Sequence, residues 1–142
     1  MIEVRASWAQ LFEPVGPKFR MRPMPHVILI EDDALVRKLL EKRLVLAGWQ
    51  VTPLRDGRGA AEAVLAAGAD LVLLDLGLPH VDGLSVVENL RHRGITIPIL
   101  VLTAYELPHL LATVQGTGAN DLVQKPYDPD ALLERMERLL AA

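Results

Sequence analysis

From His26 onward, five short apolar runs alternate with five stretches of helical spacing. The runs are His26–Glu31 (HVILIE), Trp49–Leu54, Asp70–Asp75 (DLVLLD), Ile97–Leu102 (IPILVL) and Asp121–Gln124. They are apolar nearly throughout rather than alternating, as strands buried on both faces of a parallel sheet are. Between the first two, Leu35, Val36, Leu39, Leu40 and Leu44 keep a helical period that stops near Gly48. Further helices are expected over Gly59–Ala67, Leu84–Arg93, Glu106–Thr117 and Asp128–Leu140. The last of these has Asp128 as its N-cap and Pro129 at its first position. Five β-α units joined by right-handed crossovers predict an α/β fold, a three-layer sandwich around a five-stranded parallel sheet.

The segment before this pattern reads differently. Residues 13–25 (EPVGPKFRMRPMP) hold four prolines and a glycine, which excludes a helix or a central strand. Ahead of them, Val4, Trp8, Leu11 and Phe12 recur at helical spacing, with Ser7 and Gln10 in a capping-box pattern. Residues 1–25 are therefore expected to form a dispensable arm. Docking of Trp8, Leu11 and Phe12 on a surface or on a second chain is the other reading. The arm carries a net charge of +2, leaving −5 for the rest of a chain whose total is −3. With 142 residues, the chain suits one domain, expected over 26–142.

Composition excludes several classes. The absence of cysteine removes disulfide scaffolds, thiolate metal sites and a cysteine nucleophile. No basic excess points to nucleic acid, and no apolar run approaches the ~18 residues of a membrane span. A cytoplasmic protein without direct nucleic-acid or membrane partners is expected.

Ligands of an open parallel sheet bind outside the carboxyl ends of its strands. Those ends deliver Glu31, Asp32 and Asp33, then Arg55 and Asp56, then Asp75, Thr103 and Lys125. Each has an ordinary reading alone: Asp32 or Asp33 as a helix cap, Asp75 as a turn residue, Lys125 as a solvated charge. Together they are more economically one site. Clustered carboxylates resist joint ionisation unless a cation is present, and a hard divalent ion such as magnesium suits oxygen ligands. Metal, carboxylate nucleophile, lysine and hydroxyl are the parts of phosphoryl transfer to an aspartate.

ILIEDD at 28–33, LLDLGLPHVDG at 73–83, LTA at 102–104 and QKPY at 124–127 resemble the receiver domain of bacterial two-component response regulators. The resemblance covers about residues 26–142 and implies the flavodoxin-like strand order of the chemotaxis receiver, 2-1-3-4-5. It implies Asp75 as phosphoacceptor and magnesium (Mg2+) as cofactor. Asp32 would be a direct ligand, Glu31 would act through a metal-bound water, and the Gly77 carbonyl would complete the set. Lys125 would pair with Asp75 and then with the phosphoryl group, and Thr103 would donate to a phosphoryl oxygen. The Lys125–Pro126 peptide is a cis candidate.

The implied partners are a sensor histidine kinase or histidine phosphotransfer protein and an unknown downstream protein. The chain would catalyse only its own phosphorylation and dephosphorylation. Because the last helix ends the sequence, a stand-alone receiver is expected, with a fragment of a larger regulator or a non-phosphorylated interaction module as alternatives. Leu122 stands where the family usually has a switching Tyr or Phe. Gly77 and Tyr105 occupy positions that tune phosphoryl lifetime in relatives. The expected Glu106–Thr117 helix has Glu106 as its only formal charge, so it lacks the charged pairs through which some relatives dimerise.

Overall fold

The chain forms His26–Ile30 (β1), Ala34–Leu46 (α1), Gln50–Leu54 (β2), Ala60–Ala67 (α2), Leu71–Leu76 (β3), Val81–His92 (α3), Ile99–Thr103 (β4), Leu110–Thr117 (α4), Asp121–Gln124 (β5) and Pro129–Ala141 (α5). This computed structural model describes residues 24–76, 81–104 and 110–142. The arm at residues 1–23 and the start of the expected fourth helix, 106–109, lie outside the described residues. All strand pairs are parallel, in the order β2-β1-β3-β4-β5. Among the described residues no helix is long and apolar enough to cross a membrane.

Period-two alternation divides each inner strand between two cores. Ile28, Ile30, Val72, Leu74, Ile99 and Val101 face a cluster built with α2, α3 and α4 residues such as Val64, Leu90 and Val114. Val27, Leu29, Leu71, Leu73, Leu100 and Leu102 face the other, closed by Leu40 and Leu44 of α1, Leu132 and Met136 of α5, and Trp49. Every residue of β3 is buried, as its central place requires. β2 is an edge strand and half-exposed. It tolerates Pro53, which has no N–H for a ladder.

Caps set the helix starts. Asp33 Oδ1 accepts from Leu35 N and Val36 N at 2.9 and 3.0 Å, and Asp128 caps α5 with Pro129 in its first turn. Most boundaries move by a residue or so, and three of the shifts have a local cause. β3 starts at Leu71 because the Asp70 carboxylate turns to accept from His26 N at 2.9 Å. β4 starts at Ile99, not Ile97, because Pro98 lacks a ladder donor. α3 begins at Val81, three residues before Leu84, so Gly83 lies inside the helix rather than ahead of it.

One arginine braces the amino edge of the sheet. The Arg91 guanidinium donates to the carbonyls of Gly118, Ile95 and Ile97 and to Asn120 Oδ1, all at 2.7–2.9 Å. Asn120 Oδ1 also accepts from Ile99 N at 2.9 Å. The planar five-donor fork of arginine makes this multiple bridge available where lysine would not. Gly118 has φ +114°, and a Cβ there would stand 2.6 Å from Arg91 Cγ. Gly118→Ala is expected to lower stability by about 1–3 kcal/mol through backbone strain and displacement of Arg91. Urea unfolding measures this against Gly68→Ala, where an added Cβ meets nothing within 4 Å and the loss should be smaller.

Candidate functional site

The alternation that builds the second core also aims its chemistry. Val27 and Leu29 lead to Glu31, Leu71 and Leu73 lead to Asp75, and Val123 leads to Lys125. The three polar residues continue one face of the sheet past its apolar part. The β1-β3-β4 order puts Asp75 in the middle. The backbone holds the ends in line, with Glu31 N donating to Leu54 O at 2.9 Å and Lys125 N to Thr103 O at 2.7 Å.

Asp75 is enclosed, its side chain 1% exposed. Lys125 Nζ lies 2.6 Å from Asp75 Oδ1. That contact is a close ion pair rather than a well-directed hydrogen bond, since neither buried Asp75 oxygen meets hydrogen-bond geometry with a partner among the described residues. Glu31 is buried beside Asp75. Burial, then the polar contact with Asp75, push the Glu31 carboxyl up to about 8, although Asp33 N donates to its Oε2 at 3.0 Å. Asp32 is exposed and shares a hydrogen bond with Glu31. Burial is the leading cause, and the nearby Asp75 and Asp32 carboxyls add to it.

The remaining residues divide. Thr103 is fully buried at the end of β4, but on the opposite alternation, following Ile99 and Val101. Asp33 is committed to capping α1, and Arg37 Nη1 fixes the turn by donating to Glu31 O at 2.8 Å. Asp56 pairs with Arg58 at 2.8 Å, and both line the cavity that Asp32 and Asp75 also border. Gly77 and Tyr105 lie outside the described residues. No group of three or more His, Asp or Glu side chains is arranged to hold a metal ion among the described residues. Beside Asp75 a cavity of about 550 Å³ opens, with Asp32, Arg55, Ser85 and Asn89 among its walls. The Lys125–Pro126 peptide is cis.

Residues 27–137 match the family model of the response regulator receiver domain. The chain belongs to the receiver-domain family. It is 39% identical over 116 residues to protein RcaC of Microchaete diplosiphon, covering 80% of this chain and 18% of that protein. It is 37% identical to the response regulator MprA of Mycolicibacterium vanbaalenii, covering 80% of this chain and 49% of MprA. Against the virulence transcriptional regulatory protein PhoP of Salmonella typhimurium it is also 37% identical, covering 82% of this chain and 52% of PhoP. The chain thus spans about half the length of two of these relatives and less than a fifth of the third. Among solved structures, the Vibrio cholerae chemotaxis protein CheY4 superposes with a TM-score of 0.74 at 28% identity, covering 82% of this chain and 99% of that one. The BeF3-activated receiver domain of Klebsiella pneumoniae RstA gives 0.74 at 30% identity, with the same coverage.

Two further side chains have defined places in the cores. Leu122 is half-buried and packs on the first core, opposite Val101 in the ladder. Tyr127, given no role of its own by the QKPY motif, packs against the second core. Burial and the charges of Asp75 and Glu31 raise its phenol above the usual value. Its place two residues after Lys125, past a proline, was the available signal.

The Glu31 proton has a measurable consequence. The folded value near 8 exceeds the ordinary 4.5, so the folded chain binds the extra proton between these limits and folding stability falls as pH rises. The contribution is complete below about 4.5 and lost by about 8. Without divalent cation, the melting temperature should decline across this window, and the decline should be shallower in Glu31→Gln.

Proposed function

We propose that this receiver accepts a phosphoryl group from a histidine kinase or histidine phosphotransfer protein onto Asp75, with Mg2+, in a cytoplasmic setting, and acts by contact with a downstream protein. The observation that carries this reading is the buried Asp75 carboxylate, whose two oxygens lack well-directed hydrogen-bond partners among the described residues while Lys125 stands 2.6 Å away. A structural aspartate so enclosed would be expected to satisfy those oxygens. In the step proposed, an Asp75 oxygen bonds to phosphorus as the phosphorus–nitrogen bond of the phosphohistidine breaks, and the ring, already protonated on its other nitrogen, leaves as neutral imidazole with the electron pair of the broken bond. Lys125 balances charge on Asp75 and then on the phosphoryl oxygens as a point charge. The Thr103 hydroxyl is a donor at the same edge.

The donor set suits the metal. Glu31, Asp32 and Asp75 are hard oxygen donors, and burial beside Asp75 raises the Glu31 carboxyl above its usual value, a cost that a bound cation would relieve. Those residues, with the Gly77 carbonyl, would hold Mg2+, which supplies neutralisation of phosphoryl oxygens when bound. The protein's own contribution is position, since Asp75, Lys125 and Glu31 are fixed by parallel strands of one sheet.

Acetyl phosphate with Mg2+ should add one phosphoryl group, read by intact mass, and the addition should vanish in Asp75→Asn and in EDTA. Modification that persists in Asp75→Asn would remove Asp75 from the role. Unmodified wild type would favour a non-phosphorylated interaction module.

The described part of α4, LLATVQGT, has no charged side chain, so it offers no ion pairs to a second copy. Activation is therefore expected to pass to a different protein. Sedimentation with beryllofluoride should show no shift toward dimer. A strong mimic-dependent dimer broken by substitutions on α4 would show the opposite.

A further inference from the structure

Arg55 follows β2 at the same sheet edge as the acids, and transfer from phosphohistidine onto Asp75 gives it no part. Ile30 is level with Leu54 on one side and with Leu74 on the other. One residue further on, Arg55, Glu31 and Asp75 therefore lie level across β2, β1 and β3. Arg55 also shares their alternation, since Val51 of β2 packs on the same core as Leu29 and Leu73. Two strand spacings of about 4.8 Å each separate the backbones of Arg55 and Asp75. Both residues border the cavity of about 550 Å³, a size that suits a small molecule.

Three arginines line this cavity, and two of them are engaged. Arg58 is held by Asp56 at 2.8 Å and Arg93 by Glu62 at 2.7 Å. Arg55 has no hydrogen-bond or ion-pair partner among the described residues. Even adjacent Asp56 is lowered chiefly by hydrogen bonds from Arg58, with the charge of Arg55 the least of the causes. An arginine left open beside a phosphoacceptor suits a planar anion, because its fork offers a carboxylate two parallel N–H donors.

We propose that Arg55 is a specificity-determining residue that holds the departing carboxylate of a small acyl phosphate during transfer onto Asp75. The inference rests on Asp75 as phosphoacceptor and adds a preference among its donors. An Asp75 oxygen bonds to phosphorus, the bond from phosphorus to the bridging acyl oxygen breaks, and that oxygen leaves with the electron pair as part of a carboxylate. The negative charge that develops there is met by the Arg55 guanidinium. A donor with a phosphorus–nitrogen bond releases neutral ammonia or imidazole instead, and so offers Arg55 no developing charge. Arg55 thus favours donors with anionic leaving groups and is indifferent to phosphohistidine.

The full-length chain with Mg2+ tests this with two donors, acetyl phosphate and phosphoramidate, and intact mass follows the rate of phosphorylation. Arg55→Gln should slow transfer from acetyl phosphate about tenfold and leave transfer from phosphoramidate within about twofold of wild type. Arg55→Lys, which keeps the charge without the fork, should recover only part of the loss. A loss with phosphoramidate as large as with acetyl phosphate, or no loss with acetyl phosphate, overturns the proposal while Asp75 keeps its role. Full recovery by Arg55→Lys overturns it in favour of simple attraction of the more highly charged donor. Labelling of the wild type by neither donor removes the phosphoacceptor reading and the proposal together.

Discussion

A carboxylate at the end of a strand buried on both faces cannot rely on water. Asp75 is in this position, and Glu31 arrives at the same edge from the next strand. Two such groups cannot both ionise at low cost, so the edge must hold a compensating positive charge or a proton. Lys125 provides the first from across β4, and Glu31 keeps the second. The rest of the architecture follows from sustaining that crowding. The strand order brings the acids together, the ladder beyond β4 brings the lysine within reach, and the two apolar cores keep all three from turning away.

Much of this was legible in the residues. The first and last strands and both capped helices could be placed because apolar runs and Asp caps act locally, over a few residues. The acids, Thr103 and Lys125 could be placed at one edge because parallel strands point the same way. Strand order was different. Nothing in β2 or β4 alone says which lies beside β1, and the order came from the resemblance to receivers.

What the sequence hid is tertiary. Pro98 looks like part of an apolar run until its missing donor is set against a ladder. The Arg91 bridge joins residues up to 29 apart and leaves no periodic trace. Tyr127 is one aromatic in a helix approach, and only its packing brings it near Asp75. Thr103 sits on the other alternation from Asp75, a distinction that period two contains but that strand ends taken one by one do not show. The exposed leucines of α1 resemble core residues by spacing alone, since a helical stripe does not say which of two apolar sides meets the sheet.

Arg91 sits at the amino ends of β4 and β5, on the far side of the sheet from the acids. Its bonds pin the roots of both strands, while Thr103 and Lys125 occupy their tips. The ladders that join β4 to β3 and to β5 along their length carry that anchorage to the other end of the strands, so Thr103 and Lys125 meet the acids in a fixed register.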